Sequence, residues 1–149
     1  MKLFAAIGFI LAMTGAVMAG DNGIERKKAA AGVVETMDQL VAAMEGAGLK
    51  IFARVDHGAG AQSIGEDIGA SQLLIFGNPK VGTPAIKDDP VSGLFLPLKV
   101  LVYEDGGQTW IAYQKPVDML GPLGGVAEDA PYINVMTGAL GKFTDAVAE

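Results

Sequence analysis

The segment LPLKVLVYEDGGQTWIAYQKP, residues 96–116, decides the architecture. Pro97 opens a strand from Leu98 to Tyr103 in which both alternating sets of side chains are largely apolar. Glu104-Asp105-Gly106-Gly107 then reads as a hairpin turn. Thr109 to Tyr113 returns antiparallel, and Pro116 closes the second strand. Tyr103 and Trp110 are expected to pair across the turn, with Tyr113 sharing the face of Ile111.

Working outward, Leu73-Leu74-Ile75-Phe76 is a continuous apolar run, expected as a strand covered on both faces, and Gly77-Asn78-Pro79 ends it. Val81 to Lys87 fits one or two helical turns. Leu49, Ile51, Ala53 and Val55 alternate with Lys50, Arg54 and Asp56, the pattern of a strand with one wet face. A short helix is expected within Gly58 to Gly69. A first strand is expected near Gly32 to Glu35, followed by a helix capped by Thr36 and Gln39, with Met37, Leu40, Val41 and Met44 on its apolar stripe. A last helix, Tyr132 to Val147, carries Ile133, Met136, Leu140, Phe143 and Val147 on one face. The order β-α-β-α-β-β-β-α mixes helices with a hairpin, so the expectation is an α+β layered domain over residues 30–149, mostly antiparallel sheet with helices packed on it.

The chain has 149 residues and a formal net charge of −6. Met1-Lys2 followed by an uncharged run to Ala19, ending Val17-Met18-Ala19, fits a signal peptide cleaved after Ala19. A retained anchor is the rival, weakened by Gly8, Thr14 and Gly15 in a run shorter than a spanning helix wants. Cleavage implies a periplasmic or secreted protein without a stable membrane anchor, with residues 20–29 as a flexible lead. Acidity argues against nucleic acid as a partner. The absence of cysteine removes disulfides, thiolate chemistry and cysteine metal sites.

Gly77-Asn78-Pro79-Lys80-Val81-Gly82-Thr83 resembles the opening of a phosphate loop, but Thr83 stands where the lysine belongs and Pro84 follows. The loop still offers an amide at Asn78, a cation at Lys80 and a hydroxyl at Thr83; the plainer reading makes it a tight turn with Lys80 solvated. His57, the single histidine, follows a strand and precedes Gly58, a position that suits a general base or a ligand-gripping group, or a side chain bonded to its own loop. No metal set surrounds it, and haem ligation lacks an attachment motif, so no cofactor is expected. Tyr103, Trp110 and Tyr113 serve either sheet packing or a pocket wall.

Phe76 to Pro84 followed by Leu96-Pro97-Leu98-Lys99, with Val55-Asp56-His57 upstream, resembles the family called domain of unknown function 302. That resemblance marks the loop after Phe76 as the signature element and the leading candidate site. Many members of the family carry arginine-histidine-glycine after the Y-x-x-P and leucine, where this chain reads Leu120-Gly121-Pro122. The departure weakens a catalytic reading more than a binding one. The leading expectation is a non-enzymatic module for a small apolar or amphipathic molecule, bounded by the 57–60 loop, the 77–84 loop and the hairpin. His57, Asn78, Lys80 and Thr83 would supply its polar contacts. The rivals are an enzyme with His57 as base, and a homodimer through the apolar face of the last helix at Leu140 and Phe143.

Overall fold

Five strands, β1 (Ile24–Lys28), β2 (Lys50–Asp56), β3 (Ser71–Gly77), β4 (Leu98–Asp105) and β5 (Gln108–Gln114), form one sheet in the order β1-β5-β4-β3-β2. Every pairing is antiparallel. The computed structural model describes residues 23–149, so the expected signal peptide lies outside the described residues. Among the described residues there are six helices: α1 (Val33–Gly46), α2 (His57–Gln62), α3 (Pro79–Asp88), α4 (Ser92–Phe95), α5 (Pro116–Leu120) and α6 (Pro131–Asp145). This is the expected α+β domain, with α3, α4 and α5 as short additions to the main order.

The hairpin forms where the sequence puts it. Asp105 pairs with Gln108, and Gly106 and Gly107 take φ of 60° and 77°. Only glycine adopts two such residues in succession without strain, and that backbone twist matches the twist of the flanking strands.

The core lies between one sheet face and the helices α1 and α6. Leu74, Phe76, Leu98, Val100, Val102 and Ile111 enter it from the sheet. Met37, Leu40 and Met44 enter from α1, and Ile133, Met136, Leu140 and Phe143 from α6. The apolar stripe of α6 faces the core of the monomer, where Leu140 and Phe143, the residues expected at a homodimer face, are buried.

The start of the chain departs from expectation. Ile24–Lys28, read as part of a flexible lead, is the edge strand β1, paired with β5 from Ile24↔Gln114 to Lys28↔Trp110. No strand forms at Gly32 to Glu35, because α1 already begins at Val33 with Gly32 as its N-cap. Thr36 does not cap the helix. It is buried within the first turn, and its hydroxyl donates to the Ala31 carbonyl at 3.2 Å. Gln39 reaches Glu35 rather than the cap.

Two further corrections concern the faces of the sheet. In β3 burial alternates, with Leu74 and Phe76 buried and Leu73 and Ile75 half-buried, so the run is covered fully on one face only. In β2 the register shifts between Ile51 and Ala53. Ile51 opposes Phe76 on the helix side, whereas Ala53 opposes Ile75 on the other. A bulge at Phe52 thus divides what reads as one apolar set between two faces. It puts Arg54 and Asp56 on the helix side, where Arg54 donates to Gln72 at 2.8 Å and pairs with Asp38.

Candidate functional site

The turn after β3 is built by its own residues. Asn78 is the N-cap of α3: its Oδ1 accepts from the Lys80 amide at 2.9 Å, and its carbonyl accepts from Val81 and Gly82. Pro79 sits at the first helical position, where its missing N–H costs nothing and its fixed φ suits the helix. The Oδ1 of Asn78 is therefore engaged in holding the turn.

That turn borders a cleft of about 510 Å³. The ends of the strands contribute Leu49, Phe52, Gly77 and Leu98, and α3 contributes Val81, Gly82, Thr83 and Ile86. Leu96 and Pro97, joined by a cis peptide bond, close another side. From α6 come Val135, Met136, Ala139 and Phe143. Met136, Leu98 and Phe143 are buried, whereas Phe52, Ile86 and Val135 are 46%, 39% and 53% exposed. The cleft accordingly has a closed apolar interior and an apolar mouth. Among the described residues Asn78, Thr83 and Lys142 are its only lining side chains with polar groups. Phe52 reaches it as a consequence of the β2 bulge, which removes that side chain from the regular alternation.

The Leu96–Pro97 wall is strapped by Lys99. Its Nζ donates to the carbonyls of Phe95 at 2.7 Å and Pro97 at 3.2 Å, and burial lowers its pKa from the ordinary lysine value.

The structure brings together only part of the expected site. Asn78 and Thr83 line the cleft, while Lys80, on the same helix, is exposed and does not. His57 is exposed at the first position of α2, directly after Asp56 at the far end of β2. Lys50, at the near end, pairs with Gly77 beside Asn78. Six residue steps along a strand separate the two by about 20 Å. His57 therefore lies at the opposite end of β2 from Asn78 and Lys80, and the structure does not bring the three together.

The 57–60 loop is organised by Asp56 instead. Its carboxylate accepts from the Ala59 amide at 2.8 Å and from Gln72 Nε2 at 2.9 Å. These bonds, the Ala59 contact foremost, hold its pKa below the usual carboxylate value.

The hairpin aromatics also lie away from the cleft. Tyr103 pairs with Trp110 as expected, and the Arg26 guanidinium sits over both rings, 5.5 Å and 4.9 Å from their centroids. Tyr113 faces the other way, in the register of Ile111, with Lys27 Nζ 5.5 Å from its ring. Burial alone would lower the pKa of Lys27; its 2.6 Å contact with Asp145 and the influence of Tyr113 more than offset that and raise it. These aromatics fasten the edge strand β1 and do not wall a pocket with the 77–84 turn.

The residues missed from sequence are Leu49, Phe52, Ile86, Val135 and Lys142. The helix periodicity already marks Val135 as off the apolar stripe of α6, which is a usable signal. The bulge that frees Phe52 leaves none.

Fold and cleft together define a single-domain α+β layer protein with an apolar cleft at one end of its sheet. Residues 25–147 match the family described as Domain of unknown function DUF302, and the chain belongs to that family. The crystal structure of uncharacterized conserved protein DUF302 from Bacillus stearothermophilus is similar with a TM-score of 0.76, covering 84% of this chain and 98% of that one at 21% identity. Among curated relatives, "Fluoride-specific ion channel FluC 1" of Brucella suis biovar 1 (strain 1330) is 38% identical over 97 residues, 64% of this chain and 38% of that protein. The protein of the same name from Brucella abortus biovar 1 (strain 9-941) is 38% identical over 97 residues and matched over 36% of its length. The chain thus spans little more than a third of the curated relatives it matches. Among the described residues no helix is long and apolar enough to cross a membrane. Of the segments that carry the family resemblance, Phe76 to Pro84 and Leu96 to Lys99 border the cleft, and Val55 to His57 does not.

Proposed function

We propose that this protein is a non-enzymatic binding module for a small apolar or amphipathic molecule, and that the cleft between α3, α6 and Leu96–Pro97 is its site. The observation that carries the reading is the cleft itself. About 510 Å³ lies within the roughly 300–1,000 Å³ of small-molecule sites, and its lining is apolar with a few polar groups, as such sites generally are. Among the described residues no titratable pair lines it, so none of them is arranged there for proton transfer. The ion-channel name of the curated relatives is not extended to this chain, because the match covers only a minor share of those proteins.

Gly138 supplies the test. It lies on α6, lines the cleft, and an added Cβ there would meet nothing within 4 Å. Decanol, titrated while backbone amides are followed by NMR, should saturably perturb Gly77, Gly82 and Ala139. Gly138→Leu should abolish that response while leaving thermal stability at least equal to the parent's. If those amides do not respond to decanol, the cleft is not a ligand site.

A further inference from the structure

Among the described residues the cleft has one ionisable lining residue, Lys142, in the last turn of α6, and no carboxylate. Acidic residues nevertheless outnumber basic ones 17 to 11 in the chain. Among the described residues Lys142 makes no ion pair and no side-chain hydrogen bond; its ammonium lies 5.8 Å from the ring of Phe143, itself a cleft residue. Arg26, Lys27 and Arg54 pair with Asp105, Asp145 and Asp38, whereas Lys50, Lys80 and Lys142 are exposed without an ion pair among the described residues, and of these three only Lys142 lines the cleft.

From this arrangement, and resting on the binding function proposed above, we propose that the ligand is an amphipathic anion: an alkyl chain in the apolar interior with its negative head on Lys142. A neutral head gains only an ion–dipole hydrogen bond from the ammonium, without the charge–charge attraction an anionic head adds, and a cationic one would be repelled by it at close range. An anionic head gains a charge-assisted hydrogen bond, roughly twice as strong as a neutral one. The surrounding acidity acts on orientation. A negative head is disfavoured over most of this surface and favoured at Lys142, so the chain end enters the cleft and the head stays at that residue. Thr83 contributes a neutral hydroxyl to the same lining, a donor that suits an oxyanion without adding charge. The same head-and-chain chemistry occurs in free amphiphiles and in membrane lipids. The confined volume of the cleft favours a free amphiphile.

The test compares decanoate, decanol and decyltrimethylammonium, equal in chain length and different in head, by calorimetric titration at neutral pH and low salt. Decanoate should bind about tenfold tighter than decanol, as a single charge-assisted contact permits, and the cationic amphiphile weakest. Lys142→Gln should bring decanoate down to the level of decanol while leaving decanol unchanged, and high salt should do the same. Equal affinities for decanoate and decanol in the parent protein would overturn the anion proposal and leave the apolar cleft standing. If neither binds, both proposals fall. Co-sedimentation with anionic phospholipid vesicles that depends on Lys142, without decanoate binding, would overturn the free-amphiphile assignment in favour of a bilayer headgroup.

Discussion

The hydroxyl of Tyr132 donates a 2.8 Å hydrogen bond to Oδ2 of Asp88, tying the first turn of α6 to the last residue of α3. These two helices are the facing walls of the cleft, so one contact fixes how far apart they stand. Burial of the phenol, reinforced by the adjacent carboxylate, raises the pKa of Tyr132 from 10.0 to about 12.

The stability this contact provides is therefore complete below the unfolded-state value of 10.0 and drains away as pH rises from there toward about 12, because the unfolded chain gives up the proton first. Tyr132→Phe should cost about 1 kcal/mol at neutral pH, the usual net worth of such a bond. Urea denaturation of both proteins, at neutral pH and again near the parent's alkaline limit, checks this. The difference between them should shrink at the higher pH, and a constant difference would mean that the phenol does not titrate through Asp88.

Lys99 holds the opposite wall by donating to the Phe95 and Pro97 carbonyls. Lys99→Met keeps the length of the side chain and removes the donors. Each lost bond is worth about 0.5–1 kcal/mol at a partly exposed position, so the fold should survive. Amide exchange around Leu96 and Leu98 should quicken and decanol binding weaken, whereas exchange in β5, remote from the strap, should not change.

Most of the fold is legible in the sequence because local chemistry and long-range packing agree there. The hairpin is written in Gly106-Gly107 between apolar alternations, and α6 in the spacing of Ile133, Met136, Leu140 and Phe143. What misleads is set by tertiary context. Ile24–Lys28 reads as a lead because four of its five residues are charged, yet edge strands tolerate charge, and Arg26 gains the faces of Tyr103 and Trp110 by pairing there. Thr36 has the chemistry of a cap, but the helix starts earlier and buries it. The site was half legible. The turn at Gly77–Thr83 borders the cleft, whereas His57 and the hairpin aromatics lie elsewhere; sequence spacing does not reveal that β2 runs away from that turn. Lys142 carries no local signal, since a lysine near a helix C-terminus is ordinary.

Leu140 distinguishes core from interface. It is fully buried in the monomer, so Leu140→Ala should destabilise by about 3 kcal/mol through lost burial and a residual cavity. Leu140→Asp should prevent cooperative folding, because an unpaired charge in that position has no partner. Far-ultraviolet circular dichroism with analytical ultracentrifugation separates the cases. A well-folded monomer from the aspartate variant, replacing a parent dimer, would show that the stripe of α6 is an interface after all.

Gly138 couples stability to binding in opposite senses. It sits within α6 with open space where a Cβ would project, and glycine inside a helix costs about 1 kcal/mol relative to alanine through the freedom it loses on folding. Gly138→Ala should therefore raise stability by about that amount, and one methyl group should leave most of the cleft open, so decanol affinity should change little. Gly138→Leu should retain a smaller stability gain and lose binding, since its side chain occupies the space between α6 and the Gly77–Thr83 turn. Thermal melts and titrations on the same two variants give the comparison. If alanine and leucine affect binding equally, the effect comes from the rigidity of the helix and not from filled volume. A glycine that weakens its own helix while keeping an apolar cleft open is what a site under functional demand would retain, and an alanine variant that gains stability without losing affinity would remove that argument.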